Sequence, residues 1–164
     1  MDVVCLDTNI VIWGIQQRSH PDRKNKIPQA MQLIANLQAA KNNVIVPSCV
    51  FAELLMGCNP KLKRQVSSEL SKFSKIVPFD IAASYIFGEL ATEKWGFRKE
   101  MGLQREKMKF DMMIVATAVA QKAGIIYAGD GDIEKIVQGS EVAKSLQVRD
   151  MPPYQPGLFD GLHS

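Results

Sequence analysis

Four acids in this chain stand where chemistry could be done: Asp7, Glu53, Asp111 and Asp130. Asp7 ends a short apolar run, Val3-Val4-Cys5-Leu6, and is followed by Thr8-Asn9 at what reads as a helix start. Glu53 is the only charged residue in the apolar stretch from Cys49 to Cys58. Asp111 and Thr117 are the only polar side chains from Phe110 to Ala120. Asp130 lies in Gly129-Asp130-Gly131-Asp132, which closes a second apolar run, Ile125-Ile126-Tyr127-Ala128. Each acid has a local structural explanation. Asp7, Thr8 and Asn9 are all good helix caps. Glu53 can leave its helix at the margin. Asp111 falls in the first turn of its predicted helix, where the dipole favours an anion, and Gly-Asp-Gly-Asp is ordinary turn chemistry. Gathered in one place, however, four carboxylates cannot all stay ionised without a counter-charge. A hard divalent cation, Mg2+ or Mn2+, takes oxygen ligands and resolves that conflict. Such a site binds a phosphate oxygen and activates a water for in-line attack on phosphorus.

Other chemistries find less support. The two histidines do not accompany a serine or cysteine nucleophile, which argues against a triad. The same scarcity argues against zinc. No glycine-rich phosphate loop of the Walker type occurs. Cys5, Cys49 and Cys58 sit in apolar surroundings without paired metal-ligand spacing, and read as reduced core residues of a cytoplasmic protein. No apolar run is long enough to cross a bilayer, and the N-terminus lacks the regions of a secretion signal.

The elements must bring the acids together. The 164 residues fit one domain, and 46% hydrophobic with 23% charged residues is an ordinary globular balance. Short buried strands are predicted at Val3–Leu6, Val44–Val46, Ile76–Val77, Ile125–Ala128 and Leu146–Val148. Helices are predicted from Ile10 to Ile15, from Pro28 to Ala40, and from Cys49 to Cys58 with Ser48 as cap. Further helices are expected from Pro60 to Lys75, from Asp80 to Trp95 on Ile81, Tyr85, Ile86 and Leu90, from Phe110 to Ala123, and in part of Ile133 to Leu146. Gln16 to Lys26 and Gly96 to Lys107 read as loops. The Cys49–Cys58 helix is apolar nearly all round and is expected to be buried. Strands alternating with helices call for a parallel sheet covered on both faces. In such a sheet Asp7 and Asp130 end two strands at one edge, where ligands bind. Glu53 and Asp111, early in their helices, lie at the same edge.

These motifs in this order resemble the PIN-domain nucleases, and most of all the toxins of bacterial VapBC-type toxin–antitoxin pairs. The resemblance rests on strand-Asp7-Thr8-Asn9, on Pro47-Ser48 with Ala52-Glu53-Leu54, on the helix Asp111 to Ala118, and on Ala128-Gly129-Asp130-Gly131-Asp132-Ile133. It runs from Met1 to about Asp150, leaving 151–164 as a proline-rich tail. It implies a three-layer α/β/α sandwich around a central parallel sheet, and Mg2+- or Mn2+-dependent endonucleolytic cleavage of RNA. By the same resemblance Asp7, Glu53, Asp111 and Asp130 match the acidic quartet, Asp132 an additional acid, and Asn9, beside Thr8, a supporting position. A cognate antitoxin and a homodimer are implied as well. One departure is Ala128, where the family often carries Ser or Thr; this transfers some of the work of Asp130 to Asp132.

The net charge of +3 permits a polyanionic partner without demanding one. Basic residues gather in two segments, Arg18, Arg23, Lys24 and Lys26, and then Arg98, Lys99, Arg105, Lys107 and Lys109. One cluster is expected to flank the cleft and hold RNA phosphates. Gln155-Pro156-Gly157-Leu158-Phe159 is similar to peptides that dock on the bacterial sliding clamp. Two alternatives compete with the nuclease reading. A haloacid-dehalogenase-type phosphatase would need an Asp where Asn9 stands. A non-catalytic scaffold that binds RNA or protein would have no physical reason to keep mutually repelling carboxylates.

Overall fold

Val3–Leu6 forms the first strand, β1, and Val4, Cys5 and Leu6 are all buried, as a strand covered on both faces must be. The structure, a computed structural model, describes residues 2–157. After β1 come α1 (Thr8–Val11), a π-helical turn (Ile12–Gln16), a 3-10 turn (Pro21–Arg23) and α2 (Lys26–Ala39). Next are β2 (Asn43–Pro47), α3 (Ser48–Leu55), α4 (Pro60–Ser71) and β3 (Lys75–Val77). The chain continues through α5 (Ile81–Lys94), a 3-10 turn (Trp95–Phe97), α6 (Arg105–Ala120), β4 (Ile125–Tyr127), α7 (Asp132–Val137) and β5 (Gln147–Arg149). The five strands pair in parallel in the order β3-β2-β1-β4-β5, with helices flanking the sheet. The α/β/α sandwich with a central parallel sheet is therefore present.

This strand order fixes where a ligand can go. The chain runs outward from β1 to β2 and β3, then returns to the other side of β1 for β4 and β5. The two directions part between β1 and β4, which is the switch point where open parallel sheets bind ligands. The amide of Asp7 donates to the Tyr127 carbonyl at 3.0 Å, so the ends of β1 and β4 are tied there by the main chain.

Several expected boundaries move, each for a local reason. The second helix starts at Lys26, two residues before Pro28. Ser48 does not cap α3; its hydroxyl accepts the Phe79 amide at 3.2 Å, because pairing of Pro47 with Val77 brings that loop within reach. The buried-all-round reading of this helix fails too. Val50 and Leu54 are buried, while Ala52, Glu53 and Met56 are exposed. Alanine and methionine disguise a wet side. Asp80 caps α5, its Oδ1 accepting the Ala83 amide at 2.9 Å. Yet Ile81 and Tyr85 face outward, and Ala83 and Leu90 make the buried contacts. α6 begins five residues earlier than expected, absorbing residues 105–107 from the expected loop, because Met108, Met112 and Val115 continue one buried face. It ends at Ala120; Lys122, at φ 56, takes the left-handed position, and the Gly124 amide donates to the Val3 carbonyl at 3.0 Å.

No helix among the described residues is long and apolar enough to cross a membrane. The main chain of Gln155 is held on α2 by both ends of the Gln32 amide, at 2.7 and 2.9 Å. Leu158 and Phe159, which complete the clamp-like peptide, lie outside the described residues.

Candidate active site

At the switch point lies a cleft lined by Asp7, Glu53, Asp111 and Asp130, with Thr8, Asn9, Lys107 and Phe110 between them. The four acids thus come together from the junction of β1 with α1, from α3, from α6 and from the turn after β4. Asp7 is only 4% exposed and accepts the Thr8 amide at 2.7 Å, which caps α1. Capping and placement at the cleft are therefore one arrangement. Asp111 is 5% exposed and two turns into α6, so the first-turn dipole explanation does not apply to it. Glu53 lies on the exposed side of α3 and closes the cleft from its outer rim.

The centre of the cluster is an ammonium group. Lys107 Nζ lies 2.8 Å from Asp111 Oδ2, 3.0 Å from Asp132 Oδ2 and 3.1 Å from Asp130 Oδ2. Lys135 approaches the other oxygen of Asp132 at 3.4 Å. Asp130 also orders its own turn, its Oδ1 accepting the Asp132 amide at 3.0 Å. The two acids of the Gly-Asp-Gly-Asp turn therefore share the Lys107 ammonium.

The electrostatics show a site short of positive charge. Burial pushes the Asp7 carboxyl up from 3.8 to about 7, against the Thr8 hydrogen bond, and Asp111 and Asp130 add repulsion. Burial also lifts Asp111 to about 6, against the pull of Lys107. For Lys107 burial opposes the charge, but Asp111 and then Asp132 and Asp130 outweigh it and hold the ammonium well above its ordinary range. Burial likewise works to raise Asp132, and the ammoniums of Lys107 and Lys135 reverse it, leaving that carboxyl below its usual value. Behind the site, burial and then the neighbouring Asp7 and Cys49 push the Cys5 thiol up, and burial takes Cys49 to about 11, so neither supplies a thiolate nucleophile.

The donor set suits a hard divalent cation: all oxygen, largely carboxylate, already gathered around a stand-in cation. The Thr8 hydroxyl, buried beside Asp7, has no hydrogen-bond partner among the described residues. As placed, no three acid, histidine or cysteine side chains among the described residues form a ready-made metal cage. The carboxylates are spaced around an ammonium rather than a metal.

A model of the PIN domain matches residues 4–138. The chain belongs to the PIN-domain family. Ribonuclease VapC2 of Rickettsia felis is 30% identical over 128 residues, 76% of this chain and 84% of that protein. The crystal structure of VapBC2 from Rickettsia felis, bound to a DNA fragment from their promoter, superposes with a TM-score of 0.61 at 25% identity, covering 92% of this chain and 99% of that one. The structure of VapBC-1 from nontypeable Haemophilus influenzae matches in fold, with a TM-score of 0.61 at 17% identity over 91% of this chain and 98% of that one. The matched PIN-domain residues contain all five acids and Lys107, but not β5 or the tail.

Around this PIN-domain cleft the basic residues divide. Lys107 is inside it. Lys26 lines a polar hollow on the far side of the Gly129-Asp130-Gly131 turn, with Glu134 and Asp150. Arg23 and Lys24 are exposed on the approach to α2. Arg18 bonds Gln16 and borders a separate groove with Leu62. Lys109 projects to the α5 side of α6, beside Phe87, Trp95 and Met112, and so does not reach the cleft. Arg98 stacks over the Trp95 ring at 5.8 Å and donates to the Leu103 carbonyl. Glu106 also lines the cleft and is absent from the expected site residues, because the sequence reads as a loop where α6 begins. The opposite charges of Lys107 and Asp111, four residues apart, are the available sign of a continuous helix.

Proposed function

We propose that this chain is a Mg2+- or Mn2+-dependent endoribonuclease and the toxin of a VapBC-type pair. The observation that carries the reading is the placement of Asp7, Glu53, Asp111, Asp130 and Asp132 about one cleft, with a single ammonium among three of them. The names of its relatives, a ribonuclease and two toxin–antitoxin assemblies, support the substrate class and a cognate antitoxin. The outward-facing Ile81 and Tyr85 on α5 support self-association as a homodimer.

Asp7, Asp111 and Asp130 would hold the ion, with Glu53 at the rim and Asp132 alongside. When bound, the ion supplies Lewis-acid stabilisation of the phosphate and a water acidic enough to attack it. The rest is the work of the chain. Asp7 and Asp111, both buried, present carboxylates in surroundings that screen them little from charge. Thr8 lines the cleft beside Asp7, with its hydroxyl buried and without a hydrogen-bond partner among the described residues. Asn9 packs its Cβ against Gly129 and so fixes α1 against the Asp130 turn.

The test is incubation of the purified chain with total RNA and with single-stranded DNA, with Mg2+ and with a chelator. RNA cleaved only with the ion, and left intact by Asp7→Asn, is the expected result. Binding of RNA without cleavage would establish the scaffold alternative. Cleavage that persists in chelator, or in the Asp7→Asn chain, would refute the metal mechanism.

A further inference from the structure

Lys107 is a cation built into a site suited to another cation. An ammonium has three donors and no acceptor, and here three carboxylate oxygens from two distant segments take its contacts at 2.8 to 3.1 Å. The pairing is more than a helix-surface pair of Lys107 with Asp111. Asp130 and Asp132 come from the turn after β4 and converge on the same nitrogen.

Two features make the arrangement temporary in kind. The distances are those of ammonium to oxygen, whereas magnesium needs oxygens at about 2.0–2.1 Å. The carboxylates would have to close in by most of an ångström, which leaves no room for Nζ. The lysine side chain is also 43% exposed on a flexible four-carbon stem, so it has open solvent to swing into. Charge favours the exchange. Three carboxylates with the ammoniums of Lys107 and Lys135 leave a formal −1 (−3 + 2), and with a divalent ion in place of Lys107 they are neutralised (−3 + 1 + 2).

We propose that Lys107 is a tethered counter-ion that holds the carboxylates of the metal-free site and is displaced by the divalent ion, so that it lowers metal affinity while stabilising the apo chain. Lys107 is thus a positioning residue for the site, and this role rests on the metal-dependent reading above. Each metal-binding event then carries the cost of breaking the lysine ion pairs, and removing the ammonium removes that cost.

The experiment is a calorimetric titration of Mn2+ into the full chain without RNA, comparing wild type, Lys107→Met and Lys107→Arg, with melting temperatures measured in chelator and at saturating Mn2+. Lys107→Met should bind Mn2+ about tenfold tighter or more, and Lys107→Arg should stay near wild type. Lys107→Met should melt below wild type in chelator, and saturating Mn2+ should remove the difference. A packing role alone would leave that difference the same with and without metal. Lys107→Gln serves as a second neutral variant if the Met chain does not fold. Unchanged or weaker Mn2+ binding in the neutral variants, or a melting deficit that survives saturation, overturns the displacement while leaving the metal site standing. Absence of Mn2+ binding in every chain, wild type included, overturns the metal-dependent reading and the displacement with it.

Discussion

The main chain at Gly129 packs so closely on Trp13 that a Cβ there would stand 2.7 Å from Cη2 and 2.9 Å from Cζ3 of the indole, and 2.9 Å from Cβ of Asn9. Neither neighbour can yield easily. Trp13 is buried in the core, and the Asn9 Cβ moves only with the α1 backbone. A methyl group would therefore push the turn itself, and Asp130 follows Gly129 directly. Gly129→Ala should cost about 1–3 kcal/mol of stability by overpacking. It should also reduce RNA cleavage more than that loss of folded protein explains. Urea denaturation followed by Trp fluorescence, beside cleavage rates on the folded fraction, checks both; wild-type rates would show that the turn has room to spare.

Asp7 should be a residue whose removal helps the metal-free fold. Its carboxylate is buried, and burial makes its ionised form costly, with a carboxyl pushed up to about 7. Asparagine keeps an oxygen for the Thr8 amide, now accepted at 2.7 Å, and drops the charge. Near pH 7.5, in chelator, Asp7→Asn should be more stable than wild type by on the order of 1–2 kcal/mol, while cleavage is lost. A destabilised Asp7→Asn chain in the same urea titration would contradict this.

The same burial sets a pH dependence. Unfolded Asp7 titrates near its ordinary 3.8 and the folded residue at about 7, so between those values the folded chain binds the extra proton. Stability then falls as pH rises through that window. Asp111, lifted to about 6, acts in the same direction over a narrower range. Asp132, held below its ordinary value, acts oppositely, but only in acid at and below about pH 4. The raised Lys107 matters only in alkali. Metal-free protein should accordingly be more stable near pH 5.5 than near pH 7.5, by on the order of 2 kcal/mol, and saturating Mg2+ should flatten the slope. Urea midpoints at the two pH values, with and without the ion, decide it.

The convergence of the acids could be read from the sequence because strands do not hide where they end. Val3–Leu6 and Ile125–Tyr127 are uninterrupted apolar runs that stop near acids, and a parallel sheet puts both stops on one edge. What could not be read depends on tertiary packing. Lys107 looks like one more charge in a solvated basic stretch until α6 is extended over it and the β4 turn is folded beside it. Ser48 has every local mark of a cap, and its hydroxyl is taken by Phe79 instead. Ile81 and Tyr85 fit a buried helical stripe by type, and only the packing of α5 on α6 decides that they face outward.

Finally, the uneven placement of the basic residues predicts which of them matter to RNA. Lys24 lies on the approach to α2, and Lys26, its first residue, lines the hollow that shares Asp130 with the cleft. Lys109 lies over the apolar groove between α5 and α6, away from the acids. Each phosphate that the protein no longer neutralises should lower the slope of log affinity against log salt by about one. In an Asp7→Asn background that prevents cleavage, Lys24→Glu with Lys26→Glu should weaken RNA binding several-fold and reduce that slope by about 1–2. Lys109→Glu should change neither. Fluorescence anisotropy of a labelled RNA across a salt series separates the outcomes. Equal weakening in both variants would mean that RNA feels the overall positive charge rather than a defined track past Asp130.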